Sequence, residues 1–370
     1  MDIIPGRERS AQMNAPYLIP APPVLISVLS YITLSAHLIL MNLTLGGSLL
    51  VSIYLFKRKE KHLAIAEAMA RRLPFMMAFA VVFGAAPMIF VQALYPSLFF
   101  RSAVFMSGWF LIIPAAVFAS FSLLFFLSAR WDALERWRAY LYLCVSAMLG
   151  SVLFSFCRLF AVMENLGEKK LVGYDIGGSY FIDPAFLDMI PRFLHSFFAS
   201  VAVAGLWVAI WGIMKLNREP EQGRWQYRSG ATWFSSATIM AIGTGVWRLA
   251  DIPGDSMMTV LGRDLFSTSL FAALLLSSVC ALTFALLGMN SIKPSFFLKI
   301  AAVLTIFEIA GMVVLRDILR QAELSGLYDL GAQRAHFQWA AFLIFVLCCT
   351  VSLFFCVDLV KKTRSGRKNS

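Results

Sequence analysis

The sequence predicts an all-α integral membrane protein, a bundle of about nine transmembrane helices with the N-terminus outside and the C-terminus in the cytoplasm. Hydrophobic residues make up 59% of the 370-residue chain and charged residues only 14%, whereas a soluble domain carries about 25% charged residues. Nine apolar runs each approach or exceed the roughly 20 residues that a helix needs to cross a bilayer. This composition excludes a water-soluble enzyme and a nucleic-acid-binding protein, despite the net charge of +11.

The nine runs lie at 24–56, 74–96, 105–129, 139–163, 189–216, 231–250, 264–290, 295–318 and 337–360. The first is too long for the apolar part of a cleaved signal peptide, and a polar, proline-rich segment precedes it. No internal repeat or long linker divides the chain. We therefore expect 1–370 to form a single polytopic membrane domain, with an external N-terminal segment at 1–23 and a cytoplasmic basic tail at 361–370.

The basic residues predict the orientation. With the N-terminus outside, most of the 32 Lys and Arg residues fall on the inner loops and the tail, as the positive-inside rule requires of the cytoplasmic face. The net charge is then mainly a consequence of topology. We expect a multi-pass protein of a bacterial-type inner membrane, surrounded by lipid bilayer and without a nucleic-acid partner.

Three of the four histidines fall towards the predicted outer side: His37 in the first run, His195 near the start of the fifth, and His336 where the ninth begins. Imidazoles on facing helices suit axial ligation of haem iron. A histidine that only bonds a neighbouring helix is the simpler alternative. The fourth, His62, lies in a basic inner loop, where we expect it to be solvated.

Five arginines lie at or just inside predicted outer helix ends: Arg158, Arg192, Arg248, Arg263 and Arg316. Guanidinium groups bind carboxylates well, so these arginines are candidates for neutralising haem propionates. Arg192 lies three residues before His195 and shares its helix face. The alternative is that the arginines extend to the outer membrane interface.

Glu308 is the only acidic residue near the predicted bilayer centre. Ionisable residues inside a membrane are costly and usually functional, so a proton path is one interpretation. A neutral carboxylic acid bonded to an adjacent helix is the other.

Several segments resemble subunit I of the cytochrome bd quinol oxidases. In the first run, His37 is followed six residues later by Leu43-Thr44-Leu45-Gly46, as in that family. The segment from Pro191 to Ala199, which contains His195, is similar to the family's second haem-binding segment. Met163-Glu164-Asn165 is similar to its Met-Gln-Asn. Nine helices with the N-terminus outside are also its topology.

The resemblance implies roles for particular residues. His37 is then an axial ligand in the haem pair on the outer side, and His195 ligates the low-spin b haem. Leu315-Arg316 resembles the family's Gly-Arg-Gln-Pro-Trp segment, and Glu323 resembles the glutamate that follows it, a possible ligand of the remaining high-spin b haem. An exposed loop acid is the alternative for Glu323.

The chain also departs from the family pattern. Gln92 replaces the glutamate that serves the oxygen-reactive haem, and only 251–262 replace the long external quinol loop. The seventh run has no methionine from 264 to 288 to act as second ligand of the low-spin haem. The candidates for that ligand are Met257, Met258, Met312, His336 or none.

These features favour a membrane b-type cytochrome subunit of a respiratory complex. It would transfer electrons between the quinone pool and an outer, periplasmic partner such as a cytochrome c or an iron–sulfur protein. One alternative is a bd-type terminal oxidase subunit I, which reduces oxygen with quinol and works with a second membrane subunit. The other is a haem-free transporter or scaffold. The first two require haem b and quinone or quinol.

Overall fold

A computed structural model describes residues 18–167, 184–325, 328–331 and 333–366. Its helices, in chain order, are α1 Pro23–Lys57, α2 Glu60–Ala70, α3 Leu73–Leu94, α4 Pro96–Met106, α5 Gly108–Ala129, α6 Arg138–Gly167, α7 Pro184–Lys215, α8 Pro220–Ala250, α9 Gly254–Met258, α10 Leu265–Asn290, α11 Pro294–Leu324 and α12 Trp339–Gly366. Short 3-10 and π turns occupy Asp132–Leu134 and Thr259–Arg263. Two-residue strands, β1 Leu18–Ile19 and β2 Arg334–Ala335, pair in parallel.

The all-helical membrane architecture predicted from the apolar runs is confirmed. In the described part of the chain, a helix occupies each of the nine predicted runs, and seven helical stretches are long and apolar enough to cross a membrane. α8 and α12 fall outside that set of seven, so nine crossings and the orientation of the termini stay predictions. Most of the predicted external segment and the end of the basic tail lie outside the described residues.

Proline and capping side chains fix where helices start. Proline stands in the first turn of several helices, including α1, α8 and α11, where its missing N–H costs no hydrogen bond. α10 is instead capped by Asp264, the residue before its first, whose carboxylate accepts hydrogen bonds from the backbone N and the Oγ of Ser267. These bonds hold the pKa of Asp264 below its usual value. The proline or the capping side chain therefore determines at which residue each helix begins.

α7 and α8 form a tightly packed antiparallel hairpin because glycines line their contact. A Cβ at Gly205 would lie 2.5 Å from the backbone N of Phe234, and one at Gly230 would lie 2.3 Å from that of Ala209. Small residues let membrane helices approach this closely. The resulting van der Waals packing holds the helices together in lipid, where burial of apolar side chains gives little gain. The hairpin therefore holds His195, on α7, against α8.

α1 crosses α7 at an equally close point. A Cβ at Gly46 would lie 2.0 Å from the backbone O of Ser200. One turn away, the Ser200 hydroxyl donates to Oδ1 of Asn42 at 2.9 Å. α1 also packs against α3 and α6, so the helix that carries His37 lies inside the bundle.

The expectation that His62 is solvated is wrong. His62 lies in α2 and is buried, with its ring centroid 5.4 Å from that of Tyr54 and 4.8 Å from that of Trp225. Those rings come from α1 and from α8, which is distant in sequence. Packing between aromatic rings, rather than hydration, determines the position of this histidine.

Candidate cofactor site

His37 is held by a backbone carbonyl on the next long helix. Its Nδ1 lies 2.8 Å from the O of Ala80 on α3. A carbonyl can only accept, so Nδ1 carries the proton and donates it, which leaves Nε2 with its lone pair. This is the tautomer and the anchoring that a metal-ligating histidine needs.

His195 repeats the same arrangement. Its Nδ1 lies 2.8 Å from the O of Ala241 on α8, so Nε2 again keeps its lone pair. A glycine follows each accepting alanine by four residues, Gly84 on α3 and Gly245 on α8. A Cβ at Gly84 would lie 2.6 Å from the His37 ring, and one at Gly245 would lie 3.2 Å from the His195 ring. Each imidazole therefore rests where a side chain would otherwise stand.

The two histidines occupy equivalent levels. His37 lies 20 residues before Lys57 at the end of α1, and His195 lies 20 residues before Lys215 at the end of α7, about 30 Å along each helix. Asn42 and Ser200, the residues that touch where α1 crosses α7, each follow their histidine by five positions. Both imidazoles are thus on the same side of the crossing, towards the predicted outer face.

Accessible space borders both helices at this level. Every residue from 33 to 41 on α1 and from 192 to 199 on α7 is half-buried, although these stretches span about two turns and so include all sides of each helix. The two Nε2 lone pairs, each beside a glycine, are the kind of donors that a haem takes as axial ligands, of which it needs one or two. In the described part of the chain, no three His, Cys, Asp or Glu side chains come together as a metal site.

A buried charged cluster lies one turn beyond His195. Arg192 on α7 contacts Glu164 on α6, and Nη2 of Arg248 on α8 lies 3.8 Å from Oε2 of Glu164 and 3.1 Å from Oε1 of Glu323 on α11. The four side chains are between 4% and 18% exposed. Ion pairing therefore joins the ends of four helices, and the expectation that Glu323 is an exposed loop acid is wrong.

Arg316, another of the predicted arginines, lies close by. The guanidinium of Arg316 stacks 4.3 Å from the Phe160 ring centroid, and that of Arg320 lies 4.7 Å from it. Arg316 is near enough to Glu164 and Arg192 for electrostatic interaction. Arg158 lies on α6 and is 3% exposed. Arg192, Arg248 and Arg316 thus converge on one region, which their spacing in the sequence does not reveal. Arg263 does not join them, because it is exposed and pairs with Asp255 at 3.1 Å.

A second tie at this end joins α1 to α11. The Tyr31 hydroxyl donates to Oδ2 of Asp317 at 2.6 Å, and Gln321 donates to the same oxygen at 2.9 Å. Arg320 lies 3.5 Å from the other carboxylate oxygen. The Leu315–Leu319 segment therefore contributes an interhelical anchor.

The remaining predicted residues lie apart from the two imidazoles or make other contacts. His336 is exposed after β2, and its backbone N donates to the O of Ile19 at 2.8 Å. Gln92 is half-buried on α3, two turns beyond Gly84. Of the candidate second ligands, Met258 and Met312 are exposed.

Glu308 faces the neighbouring helix. The Ser278 hydroxyl on α10 donates to its Oε1, and the side chain is half-buried. This contact is the one expected of a carboxylic acid bonded to an adjacent helix.

Glu164 carries no predicted role, although it joins two of the cluster's arginines. The available signal was a charged residue at the end of an apolar run, in the Met-Glu-Asn segment where the resembled family has glutamine.

Comparison with known proteins finds a likeness in structure alone. No family model and no curated protein matches the chain. A chain in the structure of the bd oxidase from Geobacillus thermodenitrificans superposes with a TM-score of 0.74 over 95% of this chain and 100% of that chain, at 16% sequence identity. The resemblance predicted from the histidine segments is confirmed at the level of the fold: this chain folds as that bd oxidase chain does.

Proposed function

We propose that this chain is a membrane b-type cytochrome subunit of a respiratory complex in a bacterial-type inner membrane. It transfers electrons between the quinone pool and a partner on the outer side. The observation that carries the proposal is the repeated histidine geometry. Two imidazoles at the same level each donate Nδ1–H to a helix carbonyl and keep Nε2 free for a metal.

In this proposal His37 and His195 hold haem b through Nε2. Bound haem supplies one-electron chemistry, and the chain determines its position, its electrostatic surroundings and its access to water. Arg158, Arg192 and Arg316 are the proposed cationic partners of the haem propionates, and Arg192 would share its guanidinium group with Glu164, which it contacts. Arg192 is the best placed, because it lies one turn from His195 and is only 14% exposed.

A bd-type terminal oxidase subunit I, which reduces oxygen with quinol, is the second candidate. The shared fold favours it. Gln92 and the short connection through α9 disfavour it, since a neutral amide is a weaker iron ligand than a carboxylate and no long quinol loop follows α8. In this candidate Glu323 is a further ligand and Glu308 a proton carrier, although both side chains have protein partners.

Either candidate works with further subunits. A periplasmic cytochrome c or an iron–sulfur protein suits the first, and a second membrane subunit suits the second. Quinone or quinol is the expected substrate of both.

Quinol-driven reduction tests the first proposal and separates it from the second. Purified, haem-loaded protein is mixed with a short-chain quinol without oxygen, and its visible spectrum is followed. Air is then admitted, and oxygen uptake is measured. A subunit that only transfers electrons becomes reduced and shows no sustained oxygen uptake, whereas an oxidase consumes oxygen as long as quinol lasts. Protein that quinol leaves oxidised contradicts both.

A further inference from the structure

Glu164 pairs with one arginine on each of the two helices that the His195–Ala241 hydrogen bond joins. Arg192, which it contacts, precedes His195 by three residues on α7. Arg248, its second partner, follows Gly245 by three residues and Ala241 by seven on α8. Because α7 and α8 are antiparallel, both arginines lie on the same side of the His195–Ala241 hydrogen bond, one to two turns away. One carboxylate thus ties together the two helices that orient this imidazole.

The two helix stretches that hold the other imidazole carry no charged residue of their own. No charged residue occurs from 33 to 41 around His37, or from 77 to 87 around Ala80 and Gly84. The two sites therefore share one geometry and differ in their electrostatics. Among the described residues, Glu164 pairs with both helices of the His195 site, whereas on the His37 side Asp317 accepts a hydrogen bond from Tyr31, six residues before His37 on α1.

The charge of Glu164 acts with little screening. Its side chain is 7% exposed, and charges interact far more strongly in a buried, low-dielectric setting than in water. The charged groups that face it are Arg192, Arg248 and Glu323 and, at longer range, Arg316 and Arg320. A negative charge held here favours the more positive, oxidised form of a redox group nearby, and net charge is one of the factors that set such potentials.

We propose that Glu164 is a positioning and tuning residue of the His195 site. Through Arg192 and Arg248 it fixes the α7–α8 pair around the imidazole, and its negative charge lowers the reduction potential of the haem that His195 holds. This inference rests on the proposed function, because it assumes that His195 binds haem.

The test is a spectroelectrochemical titration of haem-loaded protein in a His37→Ala background, which keeps the His195 site alone. Glu164→Gln removes the charge and keeps the shape, and glutamine is the residue that the resembled family has here. Glu164→Asp keeps the charge and shortens the reach. Glu67→Gln is the matched control, because Glu67 pairs with Arg71 at 2.6 Å on the exposed surface of α2.

We expect Glu164→Gln to retain haem and to shift the equilibrium at least tenfold towards the reduced form, a rise of 59 mV for one electron. Glu164→Asp shifts it less, and Glu67→Gln leaves it unchanged. Loss of haem in Glu164→Gln alone, with haem kept in Glu164→Asp, also supports a requirement for the charge.

Three results overturn the inference while leaving the proposed function intact. They are a potential that does not rise in Glu164→Gln, an equal rise in Glu164→Asp, and loss of haem in both variants, which indicates a structural role only. A haem-free parent protein, with both histidines present and haem supplied, overturns the proposed function itself.

Discussion

At the scale of single residues, the positions of the two histidine rings depend on glycines that have no side chain to collide with them. A helix position that faces an imidazole normally carries a side chain, and here it carries Gly84 or Gly245. The clearance is smaller at Gly84, where a Cβ would lie 2.6 Å from the His37 ring, than at Gly245, where it would lie 3.2 Å from the His195 ring. A single methyl group can therefore probe whether ring placement matters.

Gly84→Ala is expected to push the His37 ring out of place, because no carbon pair tolerates 2.6 Å without movement. We predict that haem bound through His37 falls by more than half, measured as haem per protein and as the reduced-minus-oxidised spectrum. Gly245→Ala, with its larger clearance, should reduce haem at His195 less.

The control for these variants is Gly150→Ala, since a Cβ at Gly150 meets nothing within 4 Å. Full haem content in Gly84→Ala would show that the glycine at position 84 is not needed to position His37. Equal loss in the Gly150→Ala control would show that the effect is not specific to the imidazole.

Sequence reasoning could find His37 and His195 because a polar residue inside an apolar run is conspicuous. It could not find what Glu164 does, because pairing with Arg192 and Arg248 depends on how three helices meet. It misjudged His62 for the same reason, since Trp225 packs against the His62 ring from α8, which is distant in sequence.

At the scale of elements, the crossing of α1 and α7 fixes the relation between the two histidine helices. Gly46 makes this close approach possible, and the hydrogen bond from Ser200 to Asn42 links the two helices there. The crossing lies five to nine residues from each imidazole, so a shift of one helix against the other moves one site relative to the other.

Gly46→Ala is predicted to force α1 and α7 apart, because its methyl group would lie 2.0 Å from a backbone oxygen that cannot rotate away. Overpacking of this kind costs about 1–3 kcal/mol or more. We expect a lower Tm in detergent by several degrees, measured by thermal unfolding of the purified protein. An unchanged Tm would mean that the helices are not packed here as described.

Run length predicted where the long helices lie, but it predicted their beginnings less well. The sixth run was placed at 231–250, but α8 already begins at Pro220. Its first turns are polar by composition, yet Gly223 and Gly230 pack directly against α7. A hydropathy scale excludes these turns because they have few apolar side chains. It does not detect that glycines there bring two helix backbones into contact.

At the scale of the whole molecule, the orientation of the bundle in the membrane decides which side of the membrane the two histidines face. The positive-inside rule predicts that the end near Lys57 and Lys215 is cytoplasmic, and on that prediction both imidazoles and the Glu164 cluster lie towards the outside. Outer placement suits exchange with a periplasmic partner.

We predict that a fluorescent protein fused after Ser370 fluoresces in bacterial cells and that alkaline phosphatase fused there is inactive, because the positive-inside rule predicts a cytoplasmic basic tail. Fusions in the 251–262 connection should behave in the opposite way. A periplasmic C-terminus would reverse the sidedness of both histidines and contradict exchange at the outer face.

The chain shows no internal repeat in sequence, yet His37 with Ala80 and Gly84 matches His195 with Ala241 and Gly245. Three residue types at fixed helical positions are too few to register as a repeat among apolar residues that exchange freely. The same loss of pattern explains how a fold can match over 95% of the chain at 16% identity. The bundle was therefore predictable from composition, and the pairing of its sites was not.

The central claim is that the two Nε2 atoms hold haem iron. Its most direct test is the dithionite-reduced minus oxidised spectrum of purified protein expressed with ample haem, beside His37→Ala and His195→Ala. We predict a b-type α band in the parent protein and a weaker band in each variant. A flat spectrum in the parent, or a band that neither substitution weakens, would contradict the account, and a flat spectrum would favour a haem-free transporter or scaffold.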